Sequence, residues 1–170
     1  MDEVIQRASS DPGYIQSQII ALNKKCAVKF KAAKQLQLIS RAKPSLLYGD
    51  FEIFAKLLDS VSSVLLWNGI IILSYLVSVD TEKRFDNIFD KYYGHLWDGK
   101  LITTANILGS SGRIALCRPD LAKRITGELL KVGDISLPTP ECREVARGHV
   151  LCAFAEYLSI QNVDQPVLDF

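Results

Sequence analysis

The most apolar stretch of the chain, residues 64–77, reads VLLWNGIIILSYLV and restricts what the chain can fold into. A transmembrane helix needs about 20 predominantly apolar residues, whereas polar residues such as Asn68 interrupt the run from 61 to 79. Asp59 and Asp80 flank this run, although the cytoplasmic end of a membrane span favours lysine and arginine. Helices that pack between other helices of a protein core are also apolar on nearly every side. We therefore predict a buried inner helix and no membrane span.

The rest of the chain predicts the helices that would enclose this one. Apolar side chains recur at i, i+4 and i+7, which is one face of a helix, and no run of strict alternation indicates a strand. The eight predicted helices cover about residues 12–22, 26–43, 45–59, 61–79, 81–98, 101–117, 120–132 and 139–160. The side chains expected to face inward include Ile15, Val28, Leu36, Phe51, Phe85, Ile125 and Phe154.

Several predicted helix ends carry the residue types that stabilise them. Asp11 precedes Pro12, and Thr139 precedes Pro140, the pattern of a capping side chain followed by a first-turn proline. Asp120 is expected to cap the seventh helix in the same way. The Asp98-Gly99 pair is expected to end the fifth, since glycine adopts the backbone conformation that closes a helix.

Self-comparison of the chain indicates a repeat of two helices. Trp67, Ile70, Leu73 and Leu76 lie 37 positions after Phe30, Ala33, Leu36 and Ile39. Residues 66–76 (LWNGIIILSYL) and 105–109 (ANILG) resemble the second helix of HEAT-like (armadillo-related) repeats, of which these would be divergent copies. The resemblance implies an all-α fold, a short right-handed α-α superhelix of about four hairpins. Its expected repeats are 11–44, 45–80, 81–119 and 120–161 in one domain, 1–161, followed by a tail, 162–170.

Charge and cysteine content narrow the class of protein. The formal net charge is +1, which argues against a surface built wholly for nucleic acid or anionic lipid. The first residues, MDEVIQR, lack a basic start followed by an apolar core, so we do not expect them to form a signal peptide. Cys26, Cys117, Cys142 and Cys152 lack CxxC spacing. We therefore expect free thiols and a cytoplasmic protein.

The strongest charge feature is a run of seven basic residues with no acidic residue between them. Its members are Lys24, Lys25, Lys29, Lys31, Lys34, Arg41 and Lys43. We select Lys24, Lys31, Lys34 and Arg41 as candidates for binding an acidic protein or phosphate groups. The alternative is a solvated helix face whose lysine stems cover the core of the first repeat.

An aromatic cluster near the end of the fifth helix gives a second candidate surface. Tyr93 and Trp97 lie four residues apart, and tyrosine and tryptophan are frequent anchors of protein interfaces. The alternative is packing between repeats.

Two further patterns predict structure and no chemistry. Residues 108–113 (LGSSGR) lack the phosphate-loop frame, so Gly109 and Gly112 are expected to permit close helix contact. His149, Cys152 and Cys142 are too few for a tetrahedral metal site, and we predict no cofactor, metal or catalytic residues. The resulting hypothesis is a scaffold or adaptor that binds another protein. The alternative is a nucleic-acid-binding HEAT-like protein related to the alkylpurine DNA glycosylases.

Overall fold

The computed structural model describes residues 2–24 and 27–158. Within these residues the chain is all-α, with nine α-helices and no β-strand. The helices are α1 (Asp2–Ser10), α2 (Pro12–Ala21), α3 (Ala27–Ala42), α4 (Phe51–Lys56), α5 (Ser63–Leu76), α6 (Arg84–Gly94), α7 (Leu101–Cys117), α8 (Ala122–Leu130) and α9 (Pro140–Tyr157). The prediction of an all-α protein is confirmed. Lys25, Cys26, the predicted end of the last helix at residue 160 and the predicted tail lie outside the described residues.

The structure corrects the predicted helices in two places. The sequence did not predict α1, and the predicted helix at 45–59 is not continuous. This segment contains 3₁₀ turns at Pro44–Leu46, Tyr48–Asp50 and Leu57–Asp59. Its α-helical part is the six-residue α4, which lies between the second and third of these turns. Side chains three residues apart eclipse one another in a 3₁₀ helix, so the predicted stripe stays on one side. All of its members are buried: Phe51, Phe54, Ala55 and Leu58.

The caps of α2 and α9 are confirmed, because the interaction is local. The Asp11 carboxylate accepts a hydrogen bond from the Gly13 backbone N–H at 2.9 Å, and Thr139 Oγ1 accepts one from the Cys142 N–H at 3.3 Å. Gly99 follows the 3₁₀ turn that extends α6 and has a φ of 68°, a left-handed conformation that glycine adopts without steric cost. The chain therefore turns at this position as predicted.

Two other helix starts differ from the prediction. Asp120 does not cap α8, because its carboxylate accepts two hydrogen bonds from the buried Arg118 guanidinium, each 2.8 Å long. The fifth predicted helix begins at Arg84 and not at residue 81. Its cap is Asp80, whose two carboxylate oxygens accept hydrogen bonds from the Arg84 and Phe85 backbone N–H groups, both at 2.9 Å. Tyr48 donates to the same carboxylate at 2.6 Å.

The chain divides into two compact units, residues 1–87 and 88–170. In the first, α5 packs against α3 and α4 and is buried along most of its length, including Ile70, Ile72, Leu73 and Leu76. Ile71 is only half-buried. None of the described helices combines the length and apolar character that a bilayer crossing requires. The buried inner helix is thus confirmed, and the expected inward position of Val28 is wrong, since this side chain is 55% exposed.

In the second unit, α7 packs along α9. The approach is closest at Gly112, where a Cβ atom would lie 2.8 Å from the Glu156 Cβ. The predicted role of this glycine in close helix contact is confirmed. Gly109 differs, because its nearest neighbour would be His149 Nδ1 at 3.6 Å, an ordinary contact. The predicted apolar face of α8 is buried as expected at Leu121, Ile125, Leu129 and Val132.

Candidate partner-binding surface

Three of the four basic residues of α3 lie on the side of the helix that faces away from the core, whereas Lys29 is half-buried. The buried side chains of α3 are Ala32, Ala33, Leu36, Ile39 and Ser40. Lys34 follows Lys31 by three residues, and Arg41 follows Lys34 by seven, so all three share one face of a helix with 3.6 residues per turn. Each of the three is exposed. We call Lys31, Lys34 and Arg41 the basic face of α3.

Described acidic residues form no ion pair with the basic face, although Glu3 lines one cleft together with Lys31. Lys34 Nζ donates to the neutral Gln37 amide at 3.3 Å, and none of the three cations forms an ion pair within residues 2–24 and 27–158. Some cations elsewhere are paired, as in the Arg124–Asp90 contact of 3.0 Å. All 19 acidic residues lie outside the stretch from 24 to 43. The basic face is therefore a concentrated positive charge on a chain that is nearly neutral.

The cations of α3 differ in their effect on the helix, because Arg41 lies in the last turn, where a cation favours the helix dipole, and Lys29 lies in the first. The first turn of α3 contains no acidic residue and does contain Lys29, whose ammonium lies 5.1 Å from the centre of the Phe30 ring. A cation near a helix N-terminus opposes the helix dipole at a cost of about 0.3–1 kcal/mol. Helix stability therefore accounts for Arg41 and not for Lys29.

The remaining basic residues of the stretch lie around α3. Lys24 is exposed in the turn after α2. Lys43 follows α3, and its ammonium donates to Ser9 Oγ of α1 at 2.9 Å. Lys43 thus helps to hold α1 against the end of α3, a structural role within the first unit.

A groove opens between α1, α2 and α3 beside the basic face. Its larger part is a cleft of about 270 Å³ lined by Arg7, Tyr14, Gln18, Ala21, Val28, Lys31, Ala32 and Gln35. A second cleft of about 260 Å³ adds Glu3 and Val4 and shares Arg7, Tyr14, Lys31 and Gln35 with the first. We call these two adjoining clefts the α1–α3 groove. Lys31 belongs both to the basic face and to this groove, so the two form one candidate surface.

The structure places Tyr93 in the interior. Its side chain is 1% exposed, its ring centre lies 4.6 Å from that of Phe89, and its hydroxyl donates to Ser111 Oγ at 3.2 Å. Burial raises the pKa of the Tyr93 phenol well above its ordinary value. The side chain is thus a packing residue of the second unit and is not available to a partner.

Trp97 is half-exposed at 50%. It lies in the 3₁₀ turn His95–Asp98, where the His95 Nδ1 and Asp98 carboxylate are 2.8 Å apart. The Trp97 indole is therefore exposed to solvent on a turn whose first and last residues contact each other. Of the two aromatic candidates, only Trp97 is accessible.

The other candidate residues do not assemble into a chemical site. The described residues contain no group of three or more histidine, cysteine, aspartate or glutamate side chains placed to hold a metal ion. Cys117, Cys142 and Cys152 are free thiols, as predicted, and burial raises the pKa of the Cys117 thiol.

Comparisons with protein-family models, with curated proteins and with solved structures find no match for this chain. The resemblance to HEAT-like repeats therefore stays a prediction.

Proposed function

We propose that the chain is a protein-binding module that recognises an acidic segment of its partner through the basic face of α3. The observation that carries the proposal is that Lys31, Lys34 and Arg41 are exposed on one face and form no ion pair with the residues that the structure describes. Complementary charge increases the rate of association and selects against wrong partners. The partly exposed Phe30, at 38%, lies next to this face on α3 and adds an apolar contact.

We further propose that its helices form HEAT-like repeats in a right-handed superhelix. Two observations within the separate units support this architecture. The α7 contacts advance from His149 opposite Gly109 to Glu156 opposite Gly112, so α7 and α9 run in the same direction, as second helices of consecutive repeats do. In the first unit, three of the four pairs related by the 37-residue period are buried at both positions, for example Leu36 with Leu73, whereas Phe30 is exposed and its counterpart Trp67 is half-buried.

The test is a binding assay with a fluorescent, glutamate-rich peptide. Charge reversal of the basic face by Lys34→Glu and Arg41→Glu is expected to weaken binding strongly. The matched control reverses Lys123 and Arg143, two exposed cations of the second unit, and changes the net charge equally. Equal loss in both double variants would mean that only net charge matters, and the proposal would be rejected.

A duplex DNA probe in the same assay distinguishes the nucleic-acid alternative from the protein-binding proposal. If phosphates are contacted, the affinity falls linearly on a log–log plot against salt concentration. Tighter binding of the duplex than of the acidic peptide near physiological salt, lost in the basic-face variant, would replace the protein-binding proposal with the nucleic-acid one.

A further inference from the structure

Helices α3 and α5 lie side by side and run in the same direction. They pack against each other, and the 3₁₀ turn Pro44–Leu46 that follows α3 packs against the turn Val77–Val79 that follows α5. Tyr48 donates to the Asp80 carboxylate between the same two ends, at 2.6 Å. Because the C-terminal ends of both helices meet, their side chains form parallel rows.

The other helices of the first unit pack on one side of α3 and α5. α1 and α2 contact α3, and α4 contacts α5. The Gln16 amide of α2 donates to the Asp50 carboxylate, directly before α4, at 3.1 Å, so α2 and α4 belong to the same layer. Gly69 of α5 faces this layer, since a Cβ there would lie 2.7 Å from the Leu57 Cβ of the turn after α4. The opposite side of α3 and α5 is therefore left uncovered by α1, α2 and α4.

One row of side chains on each helix occupies this uncovered side. Trp67 and Ile71 each lie two residues from Gly69, which is about 200° around the helix, and so on the opposite side of α5. The row of α3 lies opposite the buried side chains of that helix. The row of α3 is exposed, and the row of α5 is half-buried. We call the two rows the α3–α5 face: Phe30, Lys34 and Arg41 with Trp67, Ile71 and Tyr75.

The α3–α5 face has one basic row and one uncharged, partly aromatic row. α3 carries four cations, and neither α3 nor α5 contains an acidic residue. α5 has no charged residue of either sign. In the part of the chain that the structure describes, neither Lys34 nor Arg41 forms an ion pair. A partner that covers both rows therefore needs acidic side chains on one edge and apolar side chains on the other.

A helix meets this requirement better than an extended segment does. The backbone groups of α3 and α5 are already hydrogen-bonded within their helices, so the face offers side chains and no backbone partners. An extended segment would leave its own N–H and C=O groups without protein partners, whereas a helix satisfies them internally. A helix also places side chains at i, i+4 and i+7 on one edge, the spacing of the two rows, and amphipathic helices dock on apolar surfaces in this way.

We propose that the α3–α5 face binds an acidic amphipathic helix of the partner. The helix lies along α3 and α5, with its carboxylates opposite Lys34 and Arg41 and its apolar side chains against the row of α5. The inference rests on the proposed function, which it deepens by naming the form of the acidic segment and its second contact surface.

The first experiment compares two synthetic peptides of identical composition that contain no tryptophan. The patterned peptide has glutamate on one edge of a helix and leucine on the other, and the scrambled peptide distributes them on all sides. The patterned peptide is expected to bind the full chain at least about fivefold more tightly, because only it covers both rows at once. Equal affinities would overturn the amphipathic helix.

Tryptophan fluorescence localises the bound peptide. The chain contains two tryptophans, and the patterned peptide is expected to shift the emission to shorter wavelength because it removes water from the Trp67 indole. In the Trp67→Phe variant, which retains Trp97, this shift should disappear. An unchanged shift in that variant would place the peptide elsewhere and overturn the proposal.

Two polar variants then test the row of α5. Ile71→Gln and Tyr75→Gln remove apolar contacts without a change of charge, and each is expected to weaken the patterned peptide by about fivefold. Leu151→Gln is the matched control, because Leu151 is an exposed apolar residue of the second unit. Helical circular dichroism confirms folding of each variant. If both α5 variants bind the patterned peptide as the control does, the row of α5 is not a contact surface and the proposal is wrong.

The outcomes distinguish the α3–α5 face from the basic face. If only Lys34→Glu with Arg41→Glu weakens binding, and weakens both peptides equally, the helix proposal is wrong and the proposed function stands. If the α5 variants weaken the patterned peptide and the charge reversal does not, the row of α5 stands as a docking surface and the proposed function is wrong. If the chain sediments as a dimer that Ile71→Gln dissociates, a second copy occupies the face and the assigned partner is wrong.

Discussion

Two glycines on the same face of α7 give a sharp test of the packing between α7 and α9. Gly112 is buried, and a Cβ at this position would lie 2.8 Å from the Glu156 Cβ, closer than real Cβ atoms approach one another. A Cβ at Gly109 would meet only His149 Nδ1 at 3.6 Å. The two positions share their helix and differ in the space beside them, so the same substitution has opposite expected effects.

The expected magnitudes follow from helix propensity and packing. Replacing a mid-helix glycine by alanine favours the helix by about 1 kcal/mol, and Gly109→Ala is expected to gain most of this. Gly112→Ala gains the same but overpacks the contact with α9, at a cost of about 1–3 kcal/mol. The two variants should therefore differ by about 1–3 kcal/mol in the free energy of unfolding. For a chain of this size each kcal/mol corresponds to a shift in Tm of about 2–4 °C.

Urea denaturation followed by circular dichroism at 222 nm measures the difference. Gly148→Ala on α9 is a further control, because nothing lies within 4 Å of a Cβ at that position, and it should stabilise the chain as Gly109→Ala does. A Gly112→Ala variant as stable as Gly109→Ala would refute the close approach of α7 and α9. The support that this approach gives to stacked repeats would be lost with it.

Three further perturbations test the cores and a cap. Leu73→Asp is expected to prevent folding, because an unpaired charge would replace a side chain that is 0% exposed; Ile71→Asp, at a half-buried position, should retain helical circular dichroism. Asp80→Ala removes the carboxylate that caps α6 and accepts from Tyr48, and should lower the free energy of unfolding by about 1–3 kcal/mol in urea titrations. Burial raises the phenol pKa of Tyr92 and Tyr93 above the ordinary value near 10. The unfolded chain then releases these protons first, so stability should be constant below about pH 10 and fall as pH rises above it, by up to about 1.4 kcal/mol per pH unit for each tyrosine; a flat profile up to pH 12 would contradict the burial.

Local interactions explain what the sequence predicts well. The Asp11 and Thr139 caps depend on residues two or three positions away, and the inward stripes of α3, α5 and α8 follow from helical spacing. The sequence misses the features that depend on a distant partner. Tyr93 is buried beside Tyr92, in the space next to Ser111 of α7, to which its hydroxyl donates a hydrogen bond. That space belongs to another helix and leaves no sign in the spacing of α6.

The residues of the candidate surface also fall into two groups, those that the sequence predicts and those that it misses. Lys31, Lys34 and Arg41 are found from the sequence, since a charge run without acids is visible in one segment. The groove residues Arg7, Tyr14 and Gln35 are not, because three helices bring them together. The sequence also did not predict α1, whose nine residues include few apolar ones. The sequence signal for the groove is weak. Arg7 and Tyr14 lie seven residues apart, one on each side of the Asp11 cap.

The structure also bears on the alternative explanation of the basic stretch as a solvated helix face. A lysine stem can cover a core only if its side of the helix borders that core, and the buried residues of α3 lie opposite Lys34 and Arg41. Solvation does not require seven cations without an acid between them, because mixed charges solvate a surface equally well. Lys29 moreover opposes the dipole of α3. Lys29→Glu should therefore stabilise the helix while it weakens an acidic partner. Opposite signs of these two effects are the outcome that the proposed binding surface predicts.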